Sequence, residues 1–301
     1  MWRPSLGLAF LLSIAACGSA SSGAECEALT MEECGEPDAG VPRESELLVD
    51  AAWLSERIGD PSVQAVDARG GAFSNARIPG AVSLTPGDLS RTIDGVSGQL
   101  LPPSEAQAVL RAAGLHNGVT AVVYGASPEY NPARIVWALR YYGHPDVRYL
   151  DGGFGAWVEA DGEVEDGPPN VAPSAYDLGP VVESLRVTGD WVVEQLGDPP
   201  YDMPAIQLVD ARSAREYEDG HIPSARSVDW TRNLGGGFLR PAAELDTLYQ
   251  GLDPSLTTVT YCASGQRGSF AWLSLTALGF EDVRLYDGSW NEWSPANYPI
   301  E

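Results

Sequence analysis

One cysteine near the carboxyl terminus stands in a context that could make its sulfur reactive. Cys262 follows the apolar run Thr258–Tyr261 and precedes small residues, including Gly265, with Arg267 five residues further on. A strand would present this cysteine, and the amides of a tight glycine-containing loop and of the next helix would surround it with partial positive charge. Arg267 would add a full charge, and all three effects favour thiolate over thiol. The pattern predicts a nucleophile, with a buried structural cysteine as the alternative.

The residues around this cysteine are predicted to bind the substrate. Small side chains allow the backbone to approach an anion closely, and the arginine adds positive charge. Cys262 and Arg267 are therefore the predicted catalytic residues, and the predicted binding residues of the same loop are Ala263, Ser264, Gly265, Gln266 and Gly268.

Composition and charge restrict the chemistry. All 18 basic residues are arginine, which excludes a lysine Schiff base, and the net charge of −24 disfavours nucleic acid as a partner. Cysteine hydrolases need a histidine base, and the contexts of His116, His144 and His221 do not indicate one. We therefore expect thiolate attack on an acceptor whose leaving group is already a good anion, without a cofactor or a metal ion.

The chain is an internal duplication. The motif Val66–Arg69 recurs as Val209–Arg212, and further motifs recur in the same order at nearly constant spacing. Gly125 occupies the position that corresponds to Cys262, because the apolar runs that precede these two residues match each other. Since the first half has no thiol there, we expect it to act as scaffold and pocket wall, with one active site in each chain.

Strand and helix patterns alternate within each half. Gln207–Asp210, Thr258–Tyr261 and Val283–Tyr286 are typical of buried parallel strands, whereas Ala214–Glu218 and Ser269–Leu278 are typical of helices. This alternation predicts an α/β fold with parallel sheets. A connector rich in proline and acidic residues, 161–180, separates a predicted domain at 45–160 from a second at 181–301.

The amino terminus resembles a targeting segment. Residues 1–17 contain one arginine and an apolar run too short to remain as a membrane span, and they end in small residues before Cys17. This order resembles a bacterial lipobox, with an ordinary secretory signal as the alternative. It predicts lipidation of Cys17, an acidic tether at 18–44, and a position in the cell envelope facing the periplasm, with membrane contact through the lipid only. Cys26 and Cys34 could pair in that oxidising compartment or remain free thiols.

Both halves resemble rhodanese domains over about residues 46–301. In the second half the resemblance is carried by the Cys262 loop and by Asp210–Tyr217, Gly220–Pro223 and Tyr286–Trp293. In the first half it is carried by Pro132–Trp137, Tyr142–His144 and Leu150–Trp157. The resemblance implies an α/β chain of two tandem rhodanese-like domains, each a parallel sheet flanked by helices, of which the second is catalytic.

The resemblance also implies sulfur transfer. In that family the cysteine takes a sulfane sulfur as a persulfide, Cys–S–S⁻, and passes it to cyanide or a thiol. Arg212 matches a family arginine associated with the anionic end of the substrate, and a structural pair with Asp210 or Glu216 is the alternative. We expect a monomer whose partners are a small sulfur donor and a thiophilic acceptor.

The sequence leaves the donor open between thiosulfate and 3-mercaptopyruvate, and favours thiosulfate. Ala263–Gly265 resembles the mercaptopyruvate loop, whereas Arg267 resembles bacterial thiosulfate enzymes. Mercaptopyruvate enzymes also use a histidine where this chain has Arg77, and we hypothesise that Arg77 binds substrate by supplying charge to the Cys262 loop. A related phosphatase would need arginine at Gly268, so the loop is one residue short. A sulfur carrier or partner-binding module is the alternative from another class.

Overall fold

Two parallel β-sheets form the framework of the protein. The structure is a computed structural model, and it describes residues 47–167, 171–201 and 204–301. The predicted signal segment 1–17, the predicted tether 18–44, and with them Cys17, Cys26 and Cys34 lie outside the described residues.

The first half is built on a sheet whose central strands are buried. Its strands are β1 (Leu48–Val49), β2 (Val63–Asp67), β3 (Val82–Ser83), β4 (Ser90–Ile93), β5 (Val96–Leu100), β6 (Thr120–Tyr124) and β7 (Asp146–Leu150). Its helices are α1 (Ala51–Ser55), α2 (Pro103–Ala112), α3 (Asn131–Tyr141) and α4 (Gly153–Glu159). Five parallel strands lie in the order β1-β7-β6-β2-β3, and β4 and β5 form a separate antiparallel hairpin.

The second half repeats this arrangement. Its strands are β8 (Arg186–Val187), β9 (Gln207–Asp210), β10 (Arg226–Ser227), β11 (Leu234–Gly235), β12 (Phe238–Leu239), β13 (Thr258–Tyr261) and β14 (Val283–Tyr286). Its helices are α5 (Gly189–Leu196), α6 (Ala214–Glu218), α7 (Ala242–Leu248), α8 (Gln266–Ala277) and α9 (Ser289–Trp293). The parallel order β8-β14-β13-β9-β10 is the order of the first sheet, element for element.

The predicted α/β fold with parallel sheets is confirmed. The three predicted strands have the bounds of β9, β13 and β14, and the shorter predicted helix has the bounds of α6. The longer helix, predicted at Ser269–Leu278, begins three residues earlier as α8. It ends just before Gly279, whose φ of 88° is the left-handed conformation that terminates many helices. The domain limits 45–160, 161–180 and 181–301 remain predictions.

The two halves share one hydrophobic core, and all described residues belong to one compact unit. Helices α3 and α8 pack against each other, and both are buried on almost every side, which their apolar sequences permit. Trp137 and Trp272 are fully buried there, and the rings of Tyr149 and Phe270 meet edge to face across the halves at 6.2 Å. Smaller cores around Trp157 and Trp293 cover the outer sides of the two sheets.

Each half also sends a hairpin over the other. The β4–β5 hairpin of the first half reaches the second, where Asn291 Nδ2 donates to Ser97 Oγ at 2.9 Å. The β11–β12 hairpin of the second half reaches the first, where the amide of Leu239 donates to Asp151 Oδ1 at 2.8 Å. Since strand order and hairpin exchange both repeat, each half covers the loop edge of its counterpart.

The connector between the halves lies along the first half. The amide of Ser174 donates to the carbonyl of Arg111 at 2.9 Å, and Tyr176 is 1% exposed. The hydroxyl of Tyr176 lies 2.8 Å from Nδ1 of buried His144, whose Nε2 lies 2.9 Å from the carbonyl of Val119. A neutral His144 satisfies both contacts, because Nε2 donates to the carbonyl and Nδ1 accepts from the hydroxyl.

Within the described ranges, no helix combines the length and the apolar character needed to cross a lipid bilayer.

The contact between His144 and Tyr176 predicts a loss of stability in mild acid. Burial lowers the pKa of His144 below its ordinary value of 6.5. The unfolded chain therefore binds a proton at this histidine before the folded chain does, and stability falls as the pH drops below about 6.5. We expect the fall in Tm between about pH 7.5 and about pH 5.5 to be smaller in His144→Gln than in the unsubstituted chain.

The exposed His116 supplies the matched control. His116→Gln should retain the full fall in Tm. An equal fall in all three proteins would show that His144 does not contribute to the acid sensitivity.

Candidate active site

Cys262 lies at the carboxyl edge of the second sheet, directly after its central strand. Its side chain is 1% exposed. The amide of Cys262 donates to Ser289 Oγ at 3.2 Å, and that hydroxyl donates to the carbonyl of Tyr286 at 2.7 Å. Because the carboxyl ends of parallel strands meet at one edge, the segment after β14 is placed to hold the segment after β13.

The loop after Cys262 is short and tightly held. The amide of Trp290 donates to the carbonyl of Cys262 at 3.0 Å, and the amide of Asn291 donates to the carbonyl of Ala263 at 2.9 Å. Gly265 then adopts the left-handed conformation, with φ of 78°. Glycine adopts this conformation without a steric penalty, so the chain can turn directly into α8.

This turn corrects the predicted extent of the loop. The loop consists of Cys262–Gly265 only, since α8 begins at Gln266. Gln266, Arg267 and Gly268, which we expected in the loop, form the first turn of the helix. The structure nevertheless brings all the predicted loop residues together around Cys262.

The amides of this segment are free to bind an anion. From Ala263 to Gly268, no amide donates a hydrogen bond to an acceptor within the described residues, and the first amide to do so is that of Ser269, to the carbonyl of Gly265 at 3.0 Å. The first amides of a helix have no partner within the helix itself. Cys262 therefore lies beside a run of amide donors that have no partner within the described residues.

Arg267 pairs with a carboxylate beside Cys262. Its Nη1 and Nη2 donate to the two carboxylate oxygens of Glu216, each at 2.8 Å. Glu216 first, and the side chain of Cys262 in addition, raise the pKa of Arg267 above its ordinary value. Arg267 in turn lowers the pKa of Glu216 to about 2, so this carboxylate is ionised at neutral pH. The cation predicted beside Cys262, Arg267, is present, but Glu216 neutralises part of its charge. The sequence analysis had considered Glu216 as a partner of Arg212.

Arg212 is engaged in a structural pair. It is 2% exposed, its Nε and Nη2 donate to Asp210 at 3.0 and 2.7 Å, and Nη2 also donates to the carbonyl of Gly220 at 2.7 Å. Arg69 makes the same bidentate contact with Asp67 in the half that lacks the cysteine. Because the geometry is common to both halves, the structural pair considered as the alternative is present, and substrate binding by Arg212 stays a prediction.

Arg77 pairs with the connector, and none of its hydrogen bonds within the described residues reaches the Cys262 loop, so its supply of charge to that loop stays a prediction. It is 2% exposed, and its backbone pairs with that of Glu165 in the connector. Its Nη2 donates to Glu165 Oε1 and its Nη1 to the carbonyl of Gly167, both at 2.5 Å. A comparison of the two repeats could not reveal this, because the connector that neutralises Arg77 is not part of either repeat.

The sequence analysis did not predict a role for Asp287, a buried carboxylate behind the Cys262 loop. Asp287 is fully buried, and its Oδ2 accepts from the amide of Leu100 at 3.1 Å and lies 2.9 Å from Nη2 of Arg186. Its Oδ1 accepts from Nη2 of Arg134 at 2.5 Å. Leu100 and Arg134 belong to the first half. The recurrence of Asp287 as Asp151 in the first repeat was the available sequence signal for a structural role.

The corresponding loop of the first half is closed. The carboxylate of Glu129 accepts from the amide of Ala126 at 3.0 Å and from the side-chain amide of Asn131. Burial raises the pKa of Glu129. A Cβ added to Gly125 would lie 2.9 Å from Pro132 and 3.0 Å from Glu129 Oε2. The first half therefore places its own carboxyl group where the second half has unpaired amides.

The positions of the histidines and of possible metal ligands are defined within the described residues. All three histidines are described, and none makes a hydrogen bond with Cys262. Within residues 47–167, 171–201 and 204–301, no group of three or more His, Cys, Asp or Glu side chains is placed to hold a metal ion.

Comparison with known families agrees with the duplication. The model of the rhodanese-like domain matches twice, at residues 50–160 and 188–296. The thiosulfate sulfurtransferase of Corynebacterium glutamicum is 31% identical over 278 residues, which cover 85% of this chain and 90% of the relative. The sulfur carrier protein TtuD of Thermus thermophilus is 31% identical over 271 residues, which cover 82% and 93%.

Solved structures agree with the fold. The crystal structure of SseA from Escherichia coli, a 3-mercaptopyruvate sulfotransferase, superimposes with a TM-score of 0.73 and 27% identity. The match covers 81% of this chain and 98% of SseA. The similarity therefore extends over both halves and not only over the half that carries the cysteine.

The tight turn at Gly265 predicts a specific sensitivity to substitution. An added Cβ would lie 2.9 Å from Nη1 of Arg134 and 3.0 Å from the carbonyl oxygen of Asp287, at a φ that side chains rarely adopt. Gly118 has φ of 73° but open space around it. Gly118→Ala should therefore cost about 1–2 kcal/mol of unfolding free energy from the backbone alone. Gly265→Ala should cost about 1–3 kcal/mol more, because the loop is also overpacked.

Denaturant unfolding of both variants measures this difference. Equal losses would mean that the loop yields freely and is not held by the contacts with Arg134 and Asp287.

Proposed function

The chain belongs to the rhodanese-like family and is a sulfurtransferase, and we propose that it transfers the outer sulfur of thiosulfate through a persulfide on Cys262. One observation carries this proposal. The sulfur of Cys262 lies at the end of a central strand, beside the unpaired amides of Ala263–Gly268 and next to Arg267. This arrangement stabilises negative charge on a sulfur that needs no neighbouring base.

The reaction takes two displacements. The Cys262 thiolate attacks the outer sulfur of thiosulfate, a new S–S bond forms, and sulfite leaves with the electron pair of the broken S–S bond. Cyanide or a thiolate then attacks the outer sulfur of the Cys262 persulfide, and the cysteine leaves as thiolate. With cyanide the product is thiocyanate. Charge stays on sulfur or on the leaving anion throughout, so amide donors and a guanidinium suffice as catalytic groups.

3-Mercaptopyruvate is the alternative donor. The likeness to SseA and the small residues Ala263–Gly265 support it. The name of the Thermus relative supports a third possibility, a carrier that is loaded once and discharged to a partner protein. We propose that the chain is a monomer. Rates with thiosulfate and with mercaptopyruvate, measured on one preparation of it, distinguish the two donors and also distinguish an enzyme from a carrier.

We expect the chain to form thiocyanate from thiosulfate and cyanide over many turnovers. After thiosulfate alone, mass spectrometry should show the peptide that contains Cys262 heavier by about 32 daltons, the mass of one sulfur. Cys262→Ser should abolish both signals. The double variant Cys262→Ser with Gly125→Cys should remain inactive, because Pro132 and Glu129 occupy the space and the amide that a first-half cysteine would need.

The results distinguish between the proposed site and its alternatives. Thiocyanate formation by Cys262→Ser would refute the proposed site, and sulfur loading of the double variant would refute the assignment of the first half as scaffold. One loading without turnover would favour the carrier.

We further propose that the protein is a lipoprotein of the cell envelope, facing the periplasm, with Cys17 as the lipidated residue. The apolar run that ends in Ala15, Ala16 and Cys17 supports this, as do the acidic tether at 18–44 and the placement of Cys26 and Cys34 in it as a candidate disulfide. Acyl chains would hold the enzyme at the membrane surface through the tether.

Cys17→Ala tests the anchor. In bacterial cells the unsubstituted chain should fractionate with membranes and incorporate labelled palmitate, whereas Cys17→Ala should do neither. Cys26→Ala is the matched control and should behave as the unsubstituted chain. Membrane association of Cys17→Ala would exclude the lipid anchor.

A further inference from the structure

Arg134 of the first half has a guanidinium that its own surroundings do not satisfy. The residue is 1% exposed. Its Nη2 donates to the carbonyl of Gly98 at 2.9 Å and to Asp287 Oδ1 at 2.5 Å. Its Nε and Nη1 are buried and have no hydrogen-bond partner among the described residues. A buried charged group with unpaired donors is costly, so its presence requires a reason.

The unpaired Nη1 faces the Cys262 loop. A Cβ built on Gly265 would lie 2.9 Å from this atom. The neighbouring loop residue is contacted from the same side, since a Cβ built on Gly98 would lie 2.9 Å from the carbonyl oxygen of Ser264. Two consecutive residues of the loop therefore rest against the first half, and a guanidinium is part of that surface.

The charge of Arg134 is not fully neutralised. Asp287 is its ion-pair partner, but the same carboxylate also pairs with Arg186 at 2.9 Å. Two guanidinium groups share one carboxylate, so this buried cluster carries a net charge of about +1. In an interior of low dielectric constant such a charge acts over several ångströms with little screening.

The two halves differ at the position of this arginine. Helices α3 and α8 occupy equivalent places in the duplicated chain, and their fourth residues are Arg134 and Ser269 respectively. Ser269 is uncharged, and its hydroxyl donates to the carbonyl of Gln266 within its own helix. The arginine thus occurs in the half without the cysteine and reaches into the half that has it.

We propose that Arg134 is a positioning residue of the sulfur-transfer site, and that its guanidinium stabilises the anionic forms of Cys262, the thiolate and the persulfide, from across the contact between the two halves. The assignment of a persulfide rests on the function proposed above. The site is then composite: the second half supplies the sulfur and the amides, and the first half supplies part of the positive charge that faces the loop.

The charged groups that face this region come from several elements. They are Arg267 on α8, Glu216 on α6, Asp287 after β14, Arg186 on β8, Arg134 on α3 and the pair of Arg212 with Asp210 after β9. Arg267 pairs with Glu216 and Arg212 with Asp210, so each of those pairs is close to neutral. The cluster of Arg134, Arg186 and Asp287 is the one with excess positive charge, and a change in it should alter the ionisation of Cys262.

The test is the pH dependence of alkylation of Cys262 by iodoacetamide in the full chain, followed by mass spectrometry of the peptide that contains this residue. Only the thiolate reacts, so the midpoint reports ionisation whether or not sulfur is transferred. Arg134→Met should raise the midpoint by about one pH unit, since a nearby charge is lost. Arg134→Lys keeps the charge and should restore most of the shift. Asp287→Asn removes the neutralising carboxylate and should lower the midpoint.

The opposite signs separate an electrostatic role from a structural one. If Arg134 only held the two halves together, Arg134→Met and Asp287→Asn would move the midpoint in the same direction, and Arg134→Lys would not restore it. That result would overturn the proposal, as would an unchanged midpoint in correctly folded Arg134→Met. If Arg134→Met does not fold, the other two variants test the proposal. A midpoint that is nearly unchanged in Arg134→Lys and lowered in Asp287→Asn supports it, and any other pair of results overturns it.

Arg111→Met is the matched control, because Arg111 is a half-exposed arginine of the first half that pairs with Asp177 in the connector. It removes one positive charge at the surface and should leave the midpoint unchanged. A shift equal to that of Arg134→Met would mean that net charge alone, and not the buried cluster, sets the ionisation of Cys262, and would overturn the proposal. The expected midpoint shifts in the three variants, together with absent sulfur loading of the unsubstituted chain, would instead contradict only the proposed function.

Discussion

One buried carboxylate joins the two halves behind the loop that carries Cys262. Asp287 accepts hydrogen bonds from Arg134 and from the amide of Leu100, both in the first half, and pairs with Arg186. Burial of ions is expensive unless every group finds a partner, so this residue strongly restricts how the halves can meet. Two residues further on, Ser289 holds the amide of Cys262. The same short segment, Asp287–Ser289, therefore fixes both the contact between the halves and the geometry of the Cys262 loop.

The duplication explains why such a contact exists. Two copies of one α/β unit, with identical strand order, place their carboxyl edges against each other and exchange hairpins. Each loop at these edges is then covered by the opposite half. The copies have since diverged in the loop itself: Glu129 closes the loop of the first half, whereas the second half leaves its amides unpaired beside Cys262. This divergence supports the proposal that one copy serves as support while the other carries the chemistry.

The pairing of the arginines determines where positive charge acts in this acidic chain. Four arginines form bidentate pairs with the aspartate two residues earlier, which neutralises them locally: Arg69, Arg148, Arg212 and Arg284. The planar fork of arginine suits this geometry, which lysine cannot reproduce. Arg267 and Arg134 differ because their contacts lie on other elements of the chain. Local pairing of these four arginines leaves Arg267 and Arg134 as cations beside the Cys262 loop despite the net charge of −24.

Local sequence determined much of this protein. Apolar runs and the repeat predicted the parallel sheets and the bounds of β9, β13 and β14. The residues around Cys262 predicted a strand before it, a tight turn that contains Gly265, and a helix after that turn. These features follow from short-range preferences, which a linear chain displays directly. The helix start was misplaced by three residues because an apolar pattern does not reveal that a glycine turn can begin a helix at Gln266.

Only the tertiary structure decided which charges meet. Arg77 and Glu165 are 88 residues apart, and Arg134 and Asp287 are 153 residues apart. An arginine in a sequence indicates a cation but not its partner, because long side chains pair through space once elements from distant parts of the chain have packed. For that reason a comparison of the two repeats did not reveal that Arg77 pairs with the connector. The strand, turn and helix around Cys262 depend on immediate neighbours, and the sequence predicted them.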